Sequence, residues 1–117
     1  MKINWTMPAS RTVLFDEQLA SYRHSLAAGE RSAAWRHLEL AHIVGQPYPV
    51  PHTYTHLLMT AFAAHELNVR EVLGQIPRIV VGFWKSLFDH VPVGNTGGAN
   101  VPPLRRMPIP SELIGRL

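Results

Sequence analysis

The sequence predicts an all-α fold of four to five helices, arranged as antiparallel helical hairpins, with an irregular proline- and glycine-rich C-terminal segment wrapped on the helical body. Three observations carry that expectation. Apolar residues recur at steps of three and four through four separate segments before residue 90, which is the period of a helix face. Prolines and glycines punctuate the chain between those segments. After Val91 the stretch VPVGNTGGANVPPLRRMPIPSEL is too rich in glycine, proline and asparagine for a long regular element. A chain of 117 residues suffices for one core and not for two, so a single domain over 1–117 is expected. Its helical body spans about 14–90 and its irregular segment 91–117.

In the first helix Phe15, Leu19, Tyr22 and Leu26 share one face, Asp16 and Glu17 suit the first turn, and Gly29 marks the stop. The second is expected from a Ser32 cap to about Gly45, with Trp35, Leu38 and Ala41 turned inward. The three prolines of Gln46–Pro51 argue against helix there, and a third helix is expected over His52–Leu67. Asn68 followed by Glu71 resembles a capping box opening a fourth helix, with Val69, Val72, Leu73 and Ile76 on its inner face. Pro77 is expected to end or kink it. Ile79, Val80, Phe83, Trp84, Leu87 and Phe88 then continue as an apolar segment to about Asp89. That segment shows apolar residues on more than one face, and the tail is the expected cover for the second. Within the tail, GNTGGAN lacks both a preceding strand and a Gly-Lys-Ser/Thr ending. It therefore reads as a tight positive-φ turn and not as a phosphate cradle.

Composition removes several function classes. Hydrophobic residues make up 46% and charged ones 16%, too apolar for general disorder, and no cysteine is present for disulfides, thiolate metal sites or thiol nucleophiles. No apolar run reaches the ~20 residues that span a bilayer, and the first twelve residues lack the apolar core of a secretory signal. Membrane association is accordingly not expected, and a cytoplasmic location is. The net charge is only +3, and the basic residues are scattered without interleaved aromatics, so no nucleic-acid partner is expected.

Seven histidines against eight carboxylates are the informative feature. Glu39 and His42 form a Glu-x-x-His pair on one side of the second helix, and His52 and His56 form an i, i+4 pair on the third. His42 lies about one turn before the proline-rich loop and His56 about one turn after it. In an antiparallel hairpin those positions come to the same height. Glu39, His42, His52 and His56 are therefore the candidate ligands of one divalent metal ion, zinc or iron. The competing reading is a hydrogen-bonded polar network with no metal. As imidazole must be neutral to ligate, metal binding is expected to weaken below about pH 6. A carboxylate-bridged di-iron site is disfavoured, because the remaining carboxylates fall at helix starts or far from His56. His24, His65 and His90 read as surface or capping residues, and His37 lies well round the helix from His42. Arg36 and Arg78 are candidates for holding an anion near the cleft, with solvated surface the alternative for both.

The segments AWRHLELAHIVGQ (Ala34–Gln46), VPVGNTGGANV and RMPIP, with the His52-x-x-x-His56 helix between them, resemble the small bacterial proteins grouped as domain-of-unknown-function family 3703. The resemblance runs from about residue 16 to 113, and AH-x-x-GQ and GNTGGANV are its most specific parts. It implies a short, cytoplasmic, helical protein. It brings no activity, cofactor or catalytic residue.

Two functions of different kinds fit these residues. One is a metal-binding protein, whether or not an enzyme, in which a metal-bound water would react and Glu39 would either ligate or act as general base. The other is a helical-hairpin interaction module, similar to tetratricopeptide repeats although no period near 34 is found, with Trp5, Tyr48 and Tyr54 as contacts. A homodimer joined through Phe83, Trp84 and Phe88 is a third expectation.

Overall fold

The computed structural model describes residues 5–88 and 91–117. Those residues contain four α-helices and no strand: α1 (Ala9–Ala27), α2 (Arg31–Gly45), α3 (Pro49–His65) and α4 (Val69–Leu87). Helix α1 packs on α2, α2 on α3 and α3 on α4. None of the described helices is long and apolar enough to cross a membrane.

Helix α1 starts earlier than its apolar periodicity indicated, directly after Pro8, which needs no donor at a helix start. Leu14, Phe15, Leu19 and Tyr22 are buried, whereas Leu26 is exposed. Gly29 does terminate it: its φ of 76° lets the Glu30 amide reach back to the Ser25 carbonyl at 2.9 Å. The cap position of α2 is Glu30, two residues before the expected Ser32. From Leu40 to Gly45 every residue of α2 is buried, so its C-terminal half is the centre of the molecule.

The proline-rich segment does not forbid helix. Pro49 and Pro51 occupy the first turn of α3, where an amide has no intrahelical acceptor to lose, and the His52 amide makes the bond to the Tyr48 carbonyl at 3.0 Å. Asn68 caps α4 as expected, its Oδ1 accepting from the Glu71 amide at 3.1 Å. Pro77 lies inside α4 without ending it.

The largest departure concerns which side of α4 faces inward. Its buried residues are Glu71, Gln75 and Ser86. Val69, Leu73 and Ile76, expected on the inner face, are each more than half exposed, as are Val80 and Trp84. The tail meets α4 on its polar side. Gln75 Nε2 donates to the Gly97 carbonyl, Arg78 Nη2 to the Val101 carbonyl, and the Ala99 amide to the Glu71 carboxylate. It thus leaves the apolar side uncovered. Farther on, Leu113 and Ile109 join Leu14, Phe15 and Val44 in the core between α1 and α2. A second cluster of Tyr22, Ala34, Leu38 and Met59 joins α1, α2 and α3, with Trp35 and Phe62 at its edge.

Candidate metal centre

Helical spacing places His52 and His56 on one side of α3, and the last turn of α2 brings His42 opposite them. All three are buried, each exposing 4% or less of its surface. Their Nε2 atoms form a nearly equilateral triangle: 2.9 Å from His42 to His52, 3.1 Å from His42 to His56, and 3.1 Å from His52 to His56. Two glycines permit this crowding. A Cβ on Gly97 would lie 2.5 Å from His42 Cδ2, and one on Gly82 would lie 2.9 Å from His52 Cε1.

What the outer nitrogens do decides the chemistry. His42 Nδ1 is 2.8 Å from the Asn95 carbonyl oxygen, which can only accept. His56 Nδ1 meets Gln75 Oε1 at 2.5 Å. That amide's orientation is fixed, because its nitrogen donates to Glu71 Oε2 at 2.8 Å and to the Gly97 carbonyl at 3.0 Å. His52 Nδ1 meets Ser86 Oγ. The single hydroxyl proton of Ser86 is directed to the Gln46 carbonyl, so toward His52 the oxygen accepts. Every Nδ1 therefore carries its ring's proton, and every Nε2 presents a lone pair to the centre of the triangle.

Burial also keeps the rings uncharged. Desolvation, with the neighbouring imidazoles adding to it, holds His42 well below the usual histidine range. The same desolvation brings His52 down to about 3 and His56 to about 4. At neutral pH no proton is available to bridge the three nitrogens.

Glu39 does not belong to this group. The ligand-type atoms that lie within 4.8 Å of one another are those of His42, His52 and His56. Glu39 Oε1 instead accepts from Arg36 Nη1 at 3.2 Å, and Arg36 is further held by both carboxylate oxygens of Glu112. A tail residue 76 positions away thus draws Arg36, and with it Glu39, into a separate ion-pair network. Arg36 is spent there and cannot serve an anion at the cleft. His37 bonds Gln18, His24 and His65 are exposed, and His90 lies outside the described residues.

The triangle lines a cavity of about 220 Å³ between α4 and the tail, bordered by Arg78, Val81, Gly82, Lys85, Pro92 and Leu104. The sequence reading did not single out Gln75, Ser86 and Asn95. The available signal was their spacing: Gln75 stands four residues after Glu71 and Ser86 four after Gly82, on one side of a helix that includes Arg78. The GNTGGAN segment, with Gly94 and Gly97 at positive φ, supplies the carbonyls of Asn95 and Gly97 to this site.

No curated protein and no solved structure matches the chain. The family model described as protein of unknown function (DUF3703) matches residues 9–117, and the chain belongs to that family.

Proposed function

We propose that this protein binds one divalent transition-metal ion, zinc or iron, through Nε2 of His42, His52 and His56. One observation carries the reading: three buried lone pairs converge within 3.1 Å with each opposite N–H committed to an oxygen acceptor. A polar network would need a proton between at least two of those nitrogens. A cation satisfies all three, and imidazoles anchored through their other nitrogen are the usual arrangement of metal-bound histidine. An antiparallel course of α2 and α3 about the short Gln46–Tyr48 connection would account for His42 and His56 being level.

At a metal–nitrogen distance of about 2.1 Å, a triangle of this side subtends about 90° at the ion. That is the angle of an octahedral face, which suits iron and leaves positions on the cavity side for water or substrate. Untagged protein purified without added metal should contain close to one equivalent of iron or zinc by elemental analysis. His42→Ala and His56→Ala should abolish that content, while His24→Ala should retain it. Metal-free protein whose melting is indifferent to both chelator and added metal would sink the reading.

A second reading, compatible with the first, concerns the opposite side of α4. Val69, Leu73, Ile76, Val80 and Trp84 are exposed at steps of four and three, the spacing of a helix–helix seam. Trp84 stacks on Phe88 at 6.5 Å and meets Phe83 edge-on at 5.5 Å, forming an aromatic end to that seam. We infer self-association through this face. Light scattering at micromolar concentration should give a dimer, and Leu73→Lys should give a monomer.

A further inference from the structure

Arg78 is the least explained charge in the molecule. It lies on the inward, polar side of α4 with Glu71, Gln75, Gly82 and Ser86, one turn from Gln75, which contacts His56, and about two turns from Ser86, which contacts His52. Its Nη1 donates to the Gly74 carbonyl at 2.6 Å and its Nη2 to the Val101 carbonyl at 2.9 Å. Its Nε is buried without a partner. Among the described residues no carboxylate pairs with it, whereas Arg31, Arg36 and Arg116 all have one. A half-buried guanidinium held only by carbonyl oxygens keeps its full charge, and an anion entering the cavity would pair with it. Arg78 also lines the same cavity as the three histidines, and Lys85 lies about two turns farther along that wall.

Beside the polar Gln46 and Asn95, the wall carries six apolar residues, Pro77, Val81, Val91, Pro92, Pro103 and Leu104. Such a lining disfavours a fully hydrated inorganic ion and favours an anion with a carbon skeleton. At about 220 Å³ the space is smaller than a drug-sized site of roughly 300 Å³ or more. The planar fork of arginine matches a carboxylate.

We propose that this cavity binds a small organic carboxylic acid, its carboxylate held between Arg78 and the open coordination positions of the ion on His42, His52 and His56, and its apolar part against Val81 and Leu104. The proposal rests on the metal reading above. It names the substrate class of that site: a short aliphatic or aromatic acid.

The test uses the full chain loaded with Co(II), whose visible absorption reports ligand exchange at the ion. Acetate, butyrate and hexanoate are titrated in turn, with inorganic phosphate as the competing anion. Saturable spectral change is expected, with affinity rising up to about fourfold per added methylene until the cavity is full. Arg78→Gln should weaken butyrate at least tenfold while cobalt content stays near one equivalent. Because that change also removes the bonds to Gly74 and Val101, Leu104→Trp serves as a second variant. It should weaken hexanoate more than acetate. Full cobalt content with a spectrum indifferent to every carboxylate overturns the proposal and leaves the metal reading standing. Phosphate binding as tightly as butyrate, with no dependence on chain length, overturns the choice of an organic acid. Failure to retain cobalt overturns both readings.

Discussion

Three imidazoles can occupy one point in an apolar interior only because each is held from behind. His56 shows the dependence most directly, since Gln75 Oε1 accepts its Nδ1 proton and is itself oriented by Glu71 and the Gly97 carbonyl. Replacing Gln75 by leucine keeps the volume and removes the acceptor. The His56 Nδ1–H would then be buried without a partner, and the ring would lose the bond that selects its tautomer. Metal affinity of Gln75→Leu, measured by competition with a chromophoric chelator, should fall by about 10- to 100-fold. An unchanged affinity would show that packing alone orients the ring. Glu39 illustrates the converse at this scale. Its carboxylate is half-buried, and burial raises its proton affinity, but Arg36 rather than the histidines is its partner.

Among the elements, α4 is the one under tension. It is helical through Pro77, which cannot donate to the Leu73 carbonyl, and a proline in a helix interior costs about 3 kcal/mol relative to alanine. Pro77 is exposed, so alanine there removes no core contact. Pro77→Ala should therefore raise stability by about 1–3 kcal/mol in urea denaturation. A destabilised variant would mean that the ring's contact with the cavity matters more than the missing hydrogen bond. The polar residues of α4 point to the histidines and the tail carbonyls, and that orientation forces the apolar ones outward. A helix 3.6 residues per turn cannot offer both sets to one interior.

The molecule as a whole carries its site as an uncharged polar island, with consequences for pH. In the unfolded chain each histidine takes up a proton near pH 6.5. In the folded chain His56 does so only near 4 and His52 near 3, because burial opposes the charge. Between those limits the unfolded state binds more protons, so their contribution to stability is complete above about pH 6.5 and is lost as pH falls toward 4 and below. For His56 alone the shift corresponds to about 3 kcal/mol. Metal-free protein should show a melting temperature that declines steadily from pH 7 to pH 4, and His56→Gln should flatten that decline. The folded site stays unprotonated below pH 6, so metal is expected to remain bound until unfolding releases it. This places the loss of metal lower than the sequence reading did. A melting temperature flat across pH 4–7 would contradict the buried, neutral assignment.

Sequence alone determined the elements and half of the site. Local rules suffice for the helical periodicity, for the Gly29 stop and for the Asn68 cap, because each depends on residues within one or two turns. They also suffice to bring His52 and His56 to one face. Tertiary structure decided everything that involved distant partners. Glu39 leaves the histidines because Glu112, far along the chain, organises Arg36. Pro49 and Pro51 belong with the local rules instead, because a helix start has donors to spare whatever lies elsewhere in the chain. The inward side of α4 is polar because buried imidazole N–H groups and tail carbonyls demand partners more strongly than Val69, Leu73 and Ile76 demand burial. Periodicity marks where a helix has two faces, but only the groups already in the interior determine which face turns toward them.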